Sequence, residues 1–162
     1  RAIKQSGQLT VEAWIVSANT DQKGPARIVS ISRDTGSRNM TLGQDQSQFV
    51  LRLRTSETNE QGTPELRTPE GSVLAGQLQH VVATYDGARA TFYLDGQPVA
   101  DTTHFAGDAG IGTLQNWDET MHFMLGNEFT GERLWSGAIH LVAFYTQALT
   151  AEQVQANFQA GL

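Results

Sequence analysis

The dominant period of this chain is two: apolar and polar residues alternate in several runs, which is the pattern of a β-strand that buries one of its two faces. The runs with this period lie at residues 9–15, 27–32, 49–54, 121–125 and 139–145. In the third run Phe49, Leu51 and Leu53 share one face. Arg52 and Arg54 therefore share the other, so the sequence predicts a half-buried strand that presents two arginines away from the core.

Two Asp-Gly pairs divide the middle of the chain into a meander. The run at residues 79–85 ends at Asp86-Gly87, and the run at residues 89–94 ends at Asp95-Gly96. Asp-Gly between alternating apolar runs favours a two-residue type I′ turn, because both central residues of that turn need positive φ. The sequence therefore predicts three consecutive antiparallel strands between residues 78 and 103.

One helix is predicted, at the C-terminal end. Thr150 and Gln153 form the T-x-x-Q pattern of a capping box, and Leu149 and Val154 have the spacing of a hydrophobic staple. Gly161 is placed to end the helix. Because the helix is too short to be stable alone, we expect it to pack on the sheets.

Together these segments give about ten short strands, most of them linked as hairpins, and one terminal helix. That pattern predicts an all-β fold, a two-sheet antiparallel sandwich with one short C-terminal helix. Three longer polar stretches lie at residues 56–72, 104–119 and 126–134, and they either carry functional residues or cover sheet edges. No repeat or low-complexity segment divides the chain, so we expect one domain over residues 1–162.

Composition and charge exclude several classes of protein. The chain has 162 residues, a net charge of −6 and no cysteine. Its eleven basic residues form no basic run, which argues against nucleic acid as a partner. No apolar run approaches the roughly 20 residues of a membrane-spanning helix. Because the chain opens at Arg1 without a signal-peptide pattern, we interpret it as a domain excised from a larger protein.

Several motifs occur in an order that resembles the laminin-G-like group of concanavalin A-like jelly rolls. They are T-V-E-A-W (10–14), H-V-V-A-T-Y-D-G (80–87), Y-L-D-G-Q-P-V (93–99), W-S-G-A-I (135–139) and Y-x-x-A-L-T-A-E-Q-V (145–154). The resemblance covers residues 9–161 and implies a jelly roll of two curved sheets. It also implies a module of large secreted, cell-surface or periplasmic bacterial proteins. His140 stands where many members have an acidic residue.

One group of polar residues is the candidate ligand site. Arg52 and Arg54 share a strand face, and the loop before Trp135 adds further polar side chains. The full candidate set is Gln44, Arg52, Arg54, Asn127, Glu128, Arg133 and Trp135. Guanidinium and amide groups suit hydroxyls and carboxylates, and the indoles of Trp117 and Trp135 could offer faces to sugar rings.

The leading hypothesis is therefore a non-catalytic module that binds a carbohydrate or glycoconjugate. An acidic sugar is one candidate ligand. In the second hypothesis the same arginines pair internally with Glu128 and pin the long loops to a sheet, in a structural or protein-interaction domain. The third is a polysaccharide lyase or a glycosidase. The E-x-D-x-x-E and E-x-D-x-E motifs of retaining glycosidases on this fold are missing, and Glu57, Glu60, Glu65 and Glu70 look solvated.

Histidines and acids give no strong metal signal. The four histidines are widely spread, without H-x-H or H-E-x-x-H, and His80 reads as a structural residue. Relatives on this fold often bind calcium, and Asp34, Asn39, Asp108, Asp118 and Glu119 are the loop residues that could contribute to such a site. Without a D-x-D-x-D-G loop, a structural Ca²⁺ stays an open possibility with no assigned ligands.

Overall fold

Ten strands form two antiparallel sheets of five strands each in the structure, a computed structural model that describes residues 1–162. The strands are β1 Leu9–Ser17, β2 Ala26–Ser32, β3 Arg38–Asp45, β4 Gln48–Leu53, β5 Leu66–Arg67, β6 Leu78–Tyr85, β7 Ala90–Leu94, β8 Gln97–Asp101, β9 His122–Leu125 and β10 Gly137–Tyr145. The first sheet has the order β10-β1-β6-β7-β8, and the second has the order β5-β4-β3-β2-β9. The predicted all-β jelly-roll sandwich is confirmed.

The core lies between the two sheets and is built from the apolar faces that the alternation predicted. Its main cluster holds 23 buried residues. Phe49, Leu51 and Leu53 of β4 all belong to it, while Arg52 is on the opposite face of the same strand. Because successive side chains of a strand point to opposite faces, the period of two was a sufficient guide to which face of β4 points into the core.

The meander of β6, β7 and β8 is also confirmed, but its two turns differ. Asp95 and Gly96 have φ of 48° and 80°, as a two-residue type I′ turn requires. The prediction of the same turn at Asp86-Gly87 is wrong, since this connection spans four residues, 86–89. There the Asp86 carboxylate accepts the backbone N–H groups of Ala88 and Arg89, so a side chain holds the turn.

The C-terminal helix, α3 (Ala151–Ala160), has the predicted capping box, and two further helices are short. These are α1 (Ala2–Ser6) and α2 (Thr103–Ala106), the latter followed by a 3₁₀ turn at Gly107–Ala109. Neither was predicted, because four or five residues are too few for a helical period to emerge. Val154 of α3 packs with Leu149, Val82 and Tyr93 on the outer side of the first sheet.

Removing the cap of α3 tests how much the helix contributes to stability. We predict that Thr150→Ala lowers the free energy of unfolding by about 1 kcal/mol, because the Thr150 hydroxyl accepts the Gln153 backbone N–H. Urea denaturation measures the change. Thr146→Ala, an exposed threonine outside the helix, is the control and should shift stability by less than about 0.5 kcal/mol. Equal effects of the two substitutions would contradict the prediction.

Beneath α3 lies a buried polar network centred on Glu12. Its carboxylate contacts His80 Nε2 at 2.7 Å and accepts hydrogen bonds from Tyr145 Oη at 2.8 Å and Asn157 Nδ2 at 3.0 Å. Trp14 and Phe158 stack beside it, with ring centroids 5.9 Å apart. This agrees with the structural role predicted for His80 and places Trp14 under the helix.

The Glu12 network should make stability depend on pH. Burial raises the pKa of Glu12, but its bonds with His80, Tyr145 and Asn157 outweigh burial, so the pKa lies below its ordinary value of 4.5. A carboxyl with a depressed native pKa stabilises the fold above its unfolded pKa and loses that effect as pH falls. We predict that the stability gap between wild type and Glu12→Gln, measured by urea denaturation, narrows below about pH 4.5. A gap that stays constant from pH 7 to pH 3 would contradict this.

One side of the sandwich is open. The strands β9 and β10 are the edges of their sheets on this side, and neither contains a charged Asp, Glu, Lys or Arg residue. Phe123 is 51% exposed, and Leu125 and Leu141 are 45% and 38% exposed. Edge strands of globular proteins usually carry charges or prolines that prevent pairing with other chains, and this edge has none.

Candidate functional site

The candidate site lies on the outer face of the second sheet, where a β-bulge changes the direction of Arg27. In the pairing of β2 with β3, Arg27 is opposite Gly43 and Val29 is opposite Leu42, so Ile28 is an extra residue. Ile28 and Val29 both enter the core as a result. Arg27 turns to the outer face, as bulges near functional sites often arrange.

A second bulge does the same for Arg38. Ile31 pairs with Met40 and Ser32 pairs with Arg38, so Asn39 is the extra residue in β3. Arg38 then lies beside Thr41 on the outer face, with Arg38 Nη1 and Thr41 Oγ1 3.5 Å apart. Arg52 of β4 is the residue paired with Thr41. Arg27, Arg38 and Arg52 are named here the arginine cluster.

Glu128 is the buried carboxylate of this cluster. Arg27 Nε donates to Glu128 Oε2 at 3.0 Å, and the Ser32 hydroxyl donates to Glu128 Oε1. Arg27 is 1% exposed and Glu128 is fully buried. Both charged groups are shielded from water and paired with each other. The ion pair therefore holds the loop that carries Glu128 against the sheet.

That loop leaves the sheet and returns to the same point. The backbone N–H of Trp135 donates to the carbonyl of Gly126 at 2.9 Å. Within the loop, Asn127 Oδ1 accepts the N–H groups of Glu128 at 2.8 Å and Arg133 at 3.0 Å. Residues 129–134 are exposed, but Phe129 stacks on His122 of β9, and the Arg133 carbonyl accepts the backbone N–H of Arg27.

Arg38 is buried without a carboxylate of its own. Its Nη2 donates to the Thr35 carbonyl, its Nη1 makes the long contact with Thr41, and its Nε has no partner. Burial, with repulsion from Arg27 and Arg52, lowers the pKa of Arg38 to about 10. At neutral pH Arg38 is still charged, so the cluster contains a positive charge that no carboxylate neutralises by direct contact.

Arg52 is held from one side by Glu65, which corrects a sequence-based expectation. Glu65 was expected to be solvated, but its side chain is 14% exposed and accepts from Arg52 Nε and from Arg67. The exposed Glu57, Glu60 and Glu70 do fit that expectation. The polar stretch at residues 56–72 therefore returns one carboxylate to the sheet, where it orients two arginines.

Two residues of the predicted ligand set, Gln44 and Trp135, lie inside the structure. Trp135 Nε1 donates to Gln44 Oε1 at 2.9 Å, and Gln44 Nε2 donates to two backbone carbonyls. The exposed fraction is 4% for Trp135 and 7% for Trp117, whose Nε1 donates to the carbonyl of Arg54. The expectation of exposed indole faces is wrong for both, because each ring packs into the core.

The remaining predicted residues keep donors that reach solvent. Arg54 is half-buried, Arg133 is exposed, and neither side chain has a hydrogen-bond partner in the structure. Arg52 uses only Nε, so both of its Nη groups are free, and Nδ2 of Asn127 is also free. Glu128 is not available, because its carboxylate is fully buried against Arg27 and Ser32. Whether the set binds a ligand stays a prediction.

Three cavities lie elsewhere in the molecule. They have volumes of about 160, 480 and 180 Å³ and lie near Trp117, between Arg67 and His104, and between Trp14 and Asn157. The predicted ligand set lines none of them, so any ligand on the outer face of the second sheet would bind to a shallow surface.

The structure assigns no metal ligands. No group of three or more His, Asp or Glu side chains is arranged to hold an ion. Among the acids considered for calcium, Asp108 pairs with Arg89, and Asp118 pairs with Arg33 at 2.6 Å. No helix has the length and apolar character needed to cross a bilayer.

The fold defines a class, the two-sheet jelly roll of lectins and glucanases. The sequence matches the family model for the concanavalin A-like lectin/glucanases superfamily over residues 1–155, and the chain belongs to this family. The family resemblance predicted from the motifs is confirmed. No curated protein matches the chain significantly.

Solved structures support the same fold. The carbohydrate-binding domain CBM40 of a Ruminococcus gnavus sialidase, bound to α2,3-sialyllactose, is similar with a TM-score of 0.67 and 16% identity, over 92% of this chain and 81% of that one. Domain 4 of a Geobacillus stearothermophilus extracellular arabinanase, in complex with arabinotriose, has a TM-score of 0.60 and 19% identity, over 93% and 66%.

A candidate carbohydrate-binding protein of Bacteroides ovatus has a TM-score of 0.63 and 20% identity over 94% of this chain. This chain spans only 41% of that protein. The similarity therefore concerns one domain of a longer chain.

Sequence analysis missed Arg27, Ser32 and Arg38 as site residues. Residues 27–32 were predicted only as an alternating strand, and no role was assigned to Arg38. Strict alternation would place Arg27 on the same face as Val29, and only the bulge reverses this. Arginines inside otherwise apolar strands were the signal that could have identified them, since a buried arginine needs a polar environment.

Proposed function

We propose that this domain is a non-catalytic carbohydrate-binding module of a larger secreted or cell-surface protein. The observation that carries the proposal is the outer face of the second sheet, where Arg52, Arg54 and Arg133 keep unpaired donors beside a rigid buried network. Preorganised donors on a strand scaffold suit recognition of sugar hydroxyls, because little conformational entropy is lost on binding.

Neighbouring structures support a sugar as the ligand. Two domains with this fold were solved with oligosaccharides, sialyllactose in one and arabinotriose in the other. A fold of this kind hosts many functions, so the likeness adds weight to the surface chemistry without replacing it.

The carboxylates of this face favour binding over catalysis. A glycosidase of the usual kind needs two carboxyl groups that face the scissile bond and are free to act. Glu65 is occupied by Arg52 and Arg67, and Glu128 is buried against Arg27 and Ser32. Neither carboxylate is free to protonate a leaving group.

A glycan array probed with the purified domain tests the function. The wild type should bind a defined set of oligosaccharides, and Arg52→Ala and Arg133→Ala should each reduce that binding at least roughly tenfold, the loss of a charge-assisted hydrogen bond. Arg89→Ala is the matched control, because Arg89 is an exposed, salt-bridged arginine in the turn between β6 and β7. Normal folding with unchanged affinity in both site variants would contradict the site assignment.

A structural or protein-interaction domain is the second candidate, favoured by the buried Arg27–Glu128 pair and by the uncharged edge of β9 and β10. On this alternative the domain binds no glycan, and Arg52→Ala lowers stability alone. Absence of binding across the array, with a folded protein, would therefore select this candidate.

A further inference from the structure

The charges around the arginine cluster do not balance. Glu128 neutralises Arg27, and Glu65 neutralises Arg52 while it also contacts Arg67. Arg38 remains, with contacts only to the Thr35 carbonyl and the Thr41 hydroxyl. The carboxylates of Glu128 and Asp34 attract it from a distance, but Glu128 is already paired with Arg27, and Asp34 Oδ1 accepts the backbone N–H groups of Gly36 and Ser37.

An unpaired buried charge is costly, and proteins keep one where it has a use. The chain as a whole is acidic, with a net charge of −6, so this positive centre is a local departure. Two independent bulges in β2 and β3 are needed to bring Arg27 and Arg38 to the same face. Loss of either bulge would return an arginine to the core, where it would be destabilising.

The positive centre lies near an accessible donor, since Arg38 contacts Thr41, and Thr41 is paired with Arg52. Arg52 is 17% exposed on its side chain, and its two free Nη groups form the edge that a carboxylate can bind in bidentate fashion. Arg38 and Arg52 are close enough to repel each other. A ligand anion above Arg52 would therefore be attracted by Arg38 as well as by Arg52.

We propose that the glycan bound by this domain is acidic, that its carboxylate binds to Arg52, and that Arg38 selects it over neutral glycans. This inference rests on the proposed carbohydrate-binding function and names the ligand class of the same site. Arg38 acts as a positioning and specificity residue, since it is fully buried and its side chain does not reach the surface. Arg52 is the residue that contacts the carboxylate.

Matched pairs of glycans test the proposal by titration calorimetry. The probes are α2,3-sialyllactose against lactose, and oligogalacturonate against its methyl ester, so each pair differs in the carboxylate charge. The wild type should bind the acidic member of at least one pair roughly tenfold more tightly than the neutral member. Raising the salt concentration should weaken binding of the acidic member only. Arg38→Gln should lower the ratio of the affinities for the acidic and neutral members toward one. The affinity for the neutral member should stay unchanged.

Two variants separate charge from structure. Arg38→Lys keeps the charge and should retain most of the preference, whereas Arg89→Gln removes a remote arginine and should retain all of it. Because the salt dependence is measured on the wild type, the test does not depend on Arg38→Gln folding. Equal affinities for both members of a pair would overturn this inference and leave the carbohydrate-binding function standing. Absence of binding to all four probes and to the glycan array would overturn both.

Discussion

Replacing Glu128 by alanine should lower the free energy of unfolding by about 3–5 kcal/mol, one of the two largest effects expected for this domain. Glu128 is fully buried, and its carboxylate is the only direct ionic partner of the buried Arg27. The substitution would leave the Arg27 charge without compensation, next to the unpaired charge of Arg38. It would also release Ser32 and the base of the loop.

Urea denaturation of the variant measures this loss, and Glu132→Ala is its matched control. Glu132 belongs to the same loop, is exposed, and only accepts a hydrogen bond from Thr130. Its removal should change stability by less than about 0.5 kcal/mol. A Glu128 variant as stable as the Glu132 variant would mean that the buried ion pair does not hold the loop.

The second large effect is expected at Gly62, in the loop that carries Glu65. Gly62 has φ of 69°, and an added Cβ would lie 2.6 Å from the Leu53 nitrogen and 2.9 Å from the Arg52 carbonyl carbon. Both clashes are with backbone atoms, which cannot move aside without disturbing β4. We expect Gly62→Ala to cost roughly 2–5 kcal/mol, the sum of left-handed strain and overpacking.

Gly71→Ala separates the two contributions. Gly71 has a similar φ of 79°, but a Cβ there would meet nothing within 4 Å. Its substitution should cost only the conformational strain, about 1–2 kcal/mol. If thermal or urea denaturation gives the same loss for both glycines, close packing of the loop against Arg52 and Leu53 is not what Gly62 provides.

A strand such as β4 could be predicted because its alternate side chains enter the same apolar core. The alternation in β4 sorted Phe49, Leu51 and Leu53 from Arg52 correctly for this reason. Bulges break the same rule by one residue and leave no mark in composition. Arg27 and Arg38 therefore fell outside the predicted site, although they form its buried half.

The aromatic part of the site shows a different limit. The local sequence around a tryptophan next to a polar loop does not distinguish an exposed ring from a buried one. The ring of Trp135 is buried because Gln44 satisfies its N–H and because Gly137 has no side chain in its way; a Cβ on Gly137 would lie 2.3 Å from the ring. Contacts between residues 44 and 135 depend on how the sheets pair, which local patterns do not encode.

The loop between Gly126 and Trp135 begins and ends at one hydrogen bond, so its length is independent of the strands around it. We expect that its exposed tip, residues 130–132, can be lengthened, shortened or replaced while β9 and β10 keep their positions. Variants randomised only at residues 130–132 would therefore change the rim of the proposed binding surface while the strands beneath it keep their positions.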